Sequence, residues 1–114
     1  MSMKSDLCPI PCGISIMSLP SLKTITQAGG KLNNIILNKF AVYCKKSKIK
    51  FYVMYGQTEA SPRMSYLPPK YLLDKIGSIG LPISGGKFYL IDSLNKKFMS
   101  NDTVGELVYK GKNV

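Results

Sequence analysis

The feature of this sequence that most constrains its fold is a strand–helix–strand pattern between residues 22 and 56. Residues 22–28 are rich in β-branched side chains and end at a pair of glycines, which is typical of a strand that runs into a turn. Between residues 31 and 46, apolar residues are spaced by three and four positions at Leu32, Ile35, Ile36, Phe40 and Tyr43, which predicts an amphipathic helix. A dense apolar run at 51–55 predicts a buried second strand. This order predicts two parallel strands joined by a helix.

The chain changes character after this pattern. Residues 57–74 contain three prolines and predict a long loop, which in a compact domain is usually functional or disordered. Short runs at 76–79, 86–92 and 105–110 each predict a strand, because Gly, Pro, Asn and Asp separate them. We therefore predict an α/β fold followed by an all-β part, in which short strands form an antiparallel sheet or a partial barrel.

The predicted organisation has three parts. Residues 1–21 are an irregular lead-in rich in Pro, Ser and Cys, residues 22–74 are the α/β piece, and residues 75–114 are the β-rich piece. The apolar runs are far too short to span a membrane, and prolines interrupt the N-terminus where a signal peptide needs an apolar core. These features predict a cytoplasmic protein.

Histidine is absent, and the three cysteines, Cys8, Cys12 and Cys44, form no CxxC pair. Without histidine, a zinc site lacks ligands, and Ser-His-Asp and Cys-His catalytic centres are excluded. The cysteines are therefore interpreted as free, reduced thiols.

The formal net charge of +10 indicates either an anionic partner such as nucleic acid or a solvated lysine surface. All basic residues except Arg63 are lysines, and they are spread along the whole chain. Nucleic-acid recognition usually relies on arginine and on charges clustered on one face. The pattern favours a lysine surface, and a basic nucleic-acid-binding module is kept as an alternative function.

Residues that can carry chemistry follow the second predicted strand directly. Ligands of open α/β sheets gather at the carboxyl ends of the strands, and Gly56 there allows close approach to the backbone. The Thr58 hydroxyl can donate to a phosphate oxygen, Glu59 can hold Mg²⁺, and Tyr55 offers a ring for stacking. The alternative is a turn at a strand end with an exposed glutamate.

Two further observations bear on whether residues 55–59 form a ligand site or only a turn at a strand end. Glu59 is the only acidic residue between Asp6 and Asp74, a stretch with nine basic residues, so an anionic ligand would be attracted there. The Gly29-Gly30 turn ends the first predicted strand, and in a parallel pair both glycine turns lie at one sheet edge. Backbone N–H groups at the start of a helix can face an anion.

Four segments resemble, in order and spacing, motifs of the AMP-forming adenylating enzymes, the AMP-dependent synthetases and ligases. They are LKTITQAGGKL at 22–32, YGQTE at 55–59, GSIGLPISGGKFYLID at 77–92 and GELVYKGKNV at 105–114. This superfamily includes acyl-CoA synthetases, luciferases and the adenylation domains of peptide synthetases. The resemblance implies an internal fragment of the large N-terminal domain.

The resemblance also implies a chemistry. A carboxylate attacks the α-phosphate of ATP to give an acyl-adenylate and pyrophosphate, and a thiol such as that of coenzyme A then accepts the acyl group. The implied cofactors are ATP or AMP, Mg²⁺ and coenzyme A, and the implied partners are a carboxylic acid and an acceptor thiol. Thr58 would bind phosphate oxygens, and Glu59 would hold the metal. The implied nucleotide-binding residues are Gly29, Gly30, Lys31, Tyr55, Gly56, Gln57 and Thr58. The implied substrate-side residues are Gln27, Ala28, Gly56 and Gly80.

The sequence departs from the family pattern in two ways. Lys31 stands where relatives have a small residue. The family's phosphate loop, ribose-binding aspartate and mobile C-terminal domain with its lysine have no counterpart in the 114 residues. We therefore expect a fragment of a carboxylate–CoA ligase that is inactive without its flanking segments, and a non-catalytic nucleotide-binding module remains an alternative.

Overall fold

The computed structural model describes residues 19–60, 62–94, 96–98 and 103–114. Most of the predicted lead-in over residues 1–21 lies outside the described residues, as do Cys8 and Cys12. The described residues contain one α-helix, seven strands and two short 3₁₀-helices.

The helices and strands have the following bounds. The helix α1 is Asn34–Lys46, and the 3₁₀-helices are Thr58–Ala60 and Pro69–Tyr71. The strands are β1 (Thr24–Gln27), β2 (Lys50–Tyr55), β3 (Ser65–Leu67), β4 (Leu81–Pro82), β5 (Lys87–Ile91), β6 (Lys97–Phe98) and β7 (Glu106–Lys110).

The strands form two sheets. The first has the order β1-β2-β3-β4, in which β1 and β2 are parallel, with Ile25 opposite Phe51, and β3 and β4 are antiparallel to their neighbours. The second has the order β6-β5-β7 and is antiparallel throughout. This architecture confirms the predicted fold class, an α/β piece with a parallel strand pair followed by an antiparallel β piece.

The helix α1 begins where the sequence supplies a cap. The Asn33 side chain accepts a 2.8 Å hydrogen bond from the backbone N–H two residues later, so the helix starts at Asn34 rather than at residue 31. Its buried positions are Leu37, Ala41 and Cys44, spaced by four and three residues on one face. That face packs on the sheet. The helix itself was predicted, but its buried face was not: of the predicted apolar positions, Leu32, Phe40 and Tyr43 are only partly buried against the core, and Ile35 is exposed.

The core lies between α1 and the first sheet. Phe51, Leu67 and Leu72 are almost fully buried and pack against the helix, and the rings of Phe40 and Phe51 lie 6.1 Å apart. The Cys44 thiol is free and buried among these side chains, and burial raises its pKa. The interpretation as a free thiol is thus confirmed for Cys44.

Two local predictions are wrong. Residues 57–74 are not one long loop, because Ser65–Leu67 forms β3 between β2 and β4. Residues 76–79 are not a strand. The chain turns there, with Gly77 at a φ of 87°, and Ile76 packs against the core. The short strand of this region is Leu81–Pro82 instead.

The boundary near residue 74 stays a prediction. The first sheet crosses it, because β4 pairs with β3 through Ser65 and Pro82. The second sheet begins only with β5 at Lys87. The residues 75–114 therefore contribute strands to both sheets.

Lys48 follows the end of α1 in the left-handed backbone conformation, with φ of 56°, which is unusual for a residue other than glycine. The Ile49 N–H donates to the Cys44 carbonyl (2.9 Å) and the Lys48 N–H to the Lys45 carbonyl (3.3 Å), which is the hydrogen-bond pattern of a Schellman motif. Glycine takes this conformation without steric cost. Lys48→Gly is therefore expected to raise the free energy of unfolding by about 1 kcal/mol in a urea titration.

The neighbouring residue provides the matched control for this substitution. Ser47 has φ of −85°, so Ser47→Gly gains nothing from left-handed freedom and is expected to destabilise the chain. Equal effects of the two substitutions would contradict the assigned role of Lys48.

Candidate functional site

A cleft of about 770 Å³ lies at the carboxyl ends of β1 and β2. This volume is in the range of small-molecule and cofactor sites. The cleft is lined by residues from both glycine turns, the start of α1 and the turn before β4. They are Gln27, Ala28, Gly29, Gly30, Lys31, Leu32, Asn34, Leu37, Val53, Met54, Tyr55, Gly56, Gln57, Thr58, Pro62, Arg63, Gly77, Ser78 and Ile79. The parallel pairing thus brings both predicted glycine turns to one edge.

The first glycine turn follows β1 and leaves its backbone accessible. Gln27 folds back, and its Nε2 donates to the Gly30 carbonyl. Gly29 has φ of 83°, and a Cβ added at Gly29 or Gly30 would meet no atom within 4 Å. The open space beside these glycines lies on the cleft, so a ligand can approach the backbone closely.

The second glycine turn opens the loop 56–64, which connects β2 to β3. The Met64 N–H donates to the Tyr55 carbonyl (2.8 Å) and closes the loop at its base. The chain folds over Gly56 so closely that an added Cβ would overlap the Pro62 carbonyl. Gly56 is therefore required by the packing of this loop, in addition to its predicted place beside a ligand.

The predicted phosphate and metal residues occupy the 3₁₀-helix within this loop. The Ala60 N–H donates to the Gln57 carbonyl (3.0 Å) and forms the turn, whereas Gln57, Thr58 and Glu59 are exposed. Thr58 lines the cleft. Glu59 lies on the same turn but is not among the lining residues. Tyr55 lines the cleft, and its hydroxyl lies 3.3 Å from Gln57 Nε2.

Gly80 is not brought to the cleft with the other predicted residues. It has φ of 78° and lies against β3, where an added Cβ would overlap the Tyr66 carbonyl. Its N–H donates to Ser78 Oγ (3.1 Å), and Ser78 itself lines the cleft. The family motif at 77–92 pointed to this segment, and the structure brings Gly77, Ser78 and Ile79 to the cleft.

The charge of the cleft is asymmetric. Among its described lining residues, Lys31 and Arg63 are cationic and none is acidic. Arg63, the sole arginine of the chain, was not predicted as a site residue, because it lies in a proline-containing segment without a recognisable pattern. Two cations without a carboxylate favour an anionic ligand.

The turn that carries Glu59 offers a single carboxylate to a metal ion. The described residues contain no group of three or more His, Cys, Asp or Glu side chains that could hold a metal by themselves. Mg²⁺ is commonly held by one or two carboxylates together with substrate phosphates. Glu59 could be such a carboxylate only together with phosphates bound in the neighbouring cleft.

The described residues also contain no helix that is long and apolar enough to cross a membrane.

A parallel strand pair with a cleft at its carboxyl ends defines an α/β fold of the kind in which open sheets hold their ligands. A model of the family "AMP-binding enzyme" matches residues 5–114, and the chain belongs to this family. The 2-succinylbenzoate–CoA ligase of Geobacillus kaustophilus is 35% identical over 71 residues, which are 62% of this chain and 14% of that protein. The 2-succinylbenzoate–CoA ligase of Bacillus cytotoxicus is 32% identical over 94 residues, which are 82% of this chain and 18% of that protein.

Solved structures share the fold. The O-succinylbenzoate coenzyme A synthetase of Bacillus subtilis, in complex with ATP and magnesium ion, superposes with a TM-score of 0.66 at 24% identity. The match covers 81% of this chain and 18% of that one. A long-chain-fatty-acid–CoA ligase of Archaeoglobus fulgidus gives a TM-score of 0.66 at 22% identity, covering 82% and 19% of the two chains. The chain thus spans less than a fifth of the length of these relatives.

These comparisons confirm the predicted membership of the AMP-forming adenylating enzymes, and the relatives named above are carboxylate–CoA ligases. They support neither a nucleic-acid-binding module nor a non-catalytic one. The individual site residues and the domain bounds stay predictions.

Proposed function

We propose that this chain supplies the nucleotide-facing part of an AMP-forming carboxylate–CoA ligase. The observation that carries the proposal is the cleft itself, which combines the two glycine turns, Thr58 and two cationic side chains without a carboxylate. An adenine nucleotide needs a flat apolar surface, close backbone approach and positive charge near its phosphates. Tyr55, the glycine turns, and Lys31 with Arg63 meet these three needs.

Each residue has a proposed role in this reaction. Gly29, Gly30 and Tyr55 surround the adenine, and Gly56 lets the nucleotide approach the strand end. Thr58 donates its hydroxyl hydrogen to a phosphate oxygen, and Lys31 and Arg63 offset the phosphate charge. Such fixed donors act mainly by positioning the reactants and by stabilising charge. Glu59 would hold Mg²⁺, which supplies charge neutralisation at the phosphates when it is bound.

The acyl side of the site is proposed to lie towards the end of β1. Gln27 and Ala28 line the cleft beside Gly56, and Met54 adds an apolar side chain. Gly80 itself lies outside the cleft and would affect this side only through its hydrogen bond to Ser78. We propose a carboxylic acid as substrate and coenzyme A as acceptor thiol, in a cytoplasmic enzyme. Because the relatives include 2-succinylbenzoate–CoA ligases, 2-succinylbenzoate is the first acid to test.

We expect the purified 114-residue chain to bind AMP at the cleft. The chain is titrated with AMP, and its backbone amide resonances are followed by NMR. Resonances of Gly29, Gly30 and Gly56 are expected to shift, whereas Gly85, in the turn before β5, is the control and stays in place. Absent shifts, or shifts confined to residues outside the cleft, would contradict the proposal.

We also expect no steady release of pyrophosphate when the purified 114-residue chain is incubated with ATP and a carboxylic acid.

Catalysis is tested in a chimera. In the Bacillus cytotoxicus 2-succinylbenzoate–CoA ligase, the segment that matches this chain is replaced by the matching residues of this chain. ATP–pyrophosphate exchange is then measured over a panel of carboxylic acids, with a thermal melt to establish folding. Acid-dependent exchange supports the proposal, and a folded chimera without exchange contradicts it. Binding to random DNA across a salt series tests the nucleic-acid alternative, which predicts a steep loss of affinity with salt.

A further inference from the structure

The side chain of Asn113, beyond the end of the second sheet, reaches the loop 56–64. Its amide nitrogen Nδ2 donates one hydrogen bond to the Ala60 carbonyl and another, of 3.0 Å, to the Arg63 carbonyl. Asn113 is separated from these residues by 53 and 50 positions in the sequence. Local chain geometry therefore does not impose the contacts. They join the second sheet to the loop that carries Thr58 and Glu59.

The orientation of the Asn113 amide is fixed by a third hydrogen bond. The Tyr109 hydroxyl donates to Asn113 Oδ1 at 2.8 Å. A reversed amide would face two carbonyl oxygens with its own oxygen, so only one orientation satisfies all three partners. The Tyr109 ring in turn lies 5.2 Å from the Phe88 ring on the neighbouring strand β5. Asn113 is thereby anchored to the second sheet.

Two backbone hydrogen bonds hold the described residues of this loop. Within the loop, the Ala60 N–H bonds to the Gln57 carbonyl, and the Met64 N–H bonds to the Tyr55 carbonyl. Pro62, between these two points, has no N–H to donate. Asn113 bonds the carbonyls on either side of Pro62. It therefore holds the part of the loop that packs over Gly56.

We infer that Asn113 is a positioning residue for the loop 56–64, through which the second sheet sets the place of Thr58 and Glu59. The inference deepens the proposed function and rests on it for the statement that this loop faces a nucleotide. The mechanical part, that Asn113 orders the loop, is independent of any ligand. Asn113 acts through the loop backbone and need not touch the substrate.

The test of loop ordering is backbone hydrogen exchange in the 114-residue chain. Asn113→Asp keeps the size of the side chain and its acceptor for Tyr109, but it has no N–H and places a carboxylate opposite two carbonyl oxygens. Exchange at the Ala60 and Met64 amides is expected to accelerate on the order of tenfold or more, whereas amides within α1 keep their rates. Lys112→Ala, at the exposed neighbouring position, is the control and is expected to change neither the exchange rates of the loop amides nor those of the α1 amides.

A milder variant protects the test against loss of folding. Tyr109→Phe removes only the hydroxyl that orients the Asn113 amide, and a smaller acceleration at the same two amides is expected. If Asn113→Asp unfolds the chain, Tyr109→Phe decides in its place. Unchanged exchange in the loop, or equal acceleration throughout α1, would overturn the inference, because either result means that Asn113 does not act on the loop specifically.

An AMP titration separates this inference from the proposed function. If the wild-type chain binds AMP, Asn113→Asp is expected to weaken binding roughly tenfold, and Lys112→Ala to leave it unchanged. Equal AMP affinity of wild type and Asn113→Asp, with a loosened loop, would overturn the link from loop position to nucleotide binding. If the wild type does not bind AMP, the proposed function fails, and the exchange rates alone decide whether Asn113 positions the loop.

Discussion

Gly80→Ala is expected to lower the free energy of unfolding by about 2–5 kcal/mol. Gly80 has φ of 78°, which is costly for alanine, and the added Cβ would lie 2.6 Å from the Leu67 Cα and overlap the Tyr66 carbonyl. These are backbone atoms of β3 and cannot move aside as a flexible side chain would. Relief of the overlap requires β3 and β4 to separate, which breaks the edge of the first sheet.

A second glycine isolates the conformational part of this cost. Gly85 has φ of 81°, but an added Cβ there would meet nothing within 4 Å. Gly85→Ala should therefore show only the cost of the left-handed conformation, about 1–2 kcal/mol. Urea unfolding of both variants gives the comparison. Equal losses would mean that Gly80 does not pack on β3.

The strand–helix–strand unit could be predicted because its signals are local. The spacing of apolar residues between Leu32 and Tyr43 indicates the helix without knowledge of what covers it, although the positions that the sheet buries, Leu37, Ala41 and Cys44, emerge only from the folded chain. Asn33 supplies a cap from its own side chain. Two parallel strands joined by a helix then have their carboxyl ends at one edge, so the joint position of both glycine turns follows from topology.

The strand β3 could not be predicted, because it is held by distant partners. It is three residues long and lies between Pro62 and Pro68, so it is too short to show a readable alternation. It is stabilised by pairing on both edges, and the buried Ser65 hydroxyl donates to the Ile79 carbonyl at 2.7 Å. Each of these contacts depends on residues that the sequence does not identify as neighbours.

The candidate site also combines residues that a local sequence pattern reveals with residues that only the folded chain brings together. The motif residues from Tyr55 to Thr58 are contiguous and could be recognised together. Arg63 and Asn113 enter the site's surroundings through loop folding and through contacts over 50 or more positions, which no local pattern encodes. Gly80 was recognised as part of a motif, but only the structure reveals its contact with β3.

Glu59→Gln is expected to reduce ATP–pyrophosphate exchange by about 100-fold or more in the chimeric ligase while leaving its thermal stability unchanged. Glu59 is exposed on the 3₁₀-helix beside the cleft, so its carboxylate supports no buried contact of the fold. Glutamine keeps nearly the same shape but removes the negative charge that a metal ligand needs. The cost therefore falls on the reaction rather than on folding. Exchange is measured across a magnesium series, and the half-saturating concentration of magnesium is expected to rise.

The chain offers a matched control for this substitution in its only other glutamate, Glu106. It is exposed at the start of β7 in the second sheet and lies outside the cleft. An exposed residue without a functional role is expected to change stability by no more than about 0.5 kcal/mol, and Glu106→Gln should leave activity intact. If Glu59→Gln matches Glu106→Gln in exchange rate and magnesium dependence, Glu59 holds no metal. The cleft would then keep only its cations and Thr58 for phosphate binding, and the magnesium ligand would have to come from another segment.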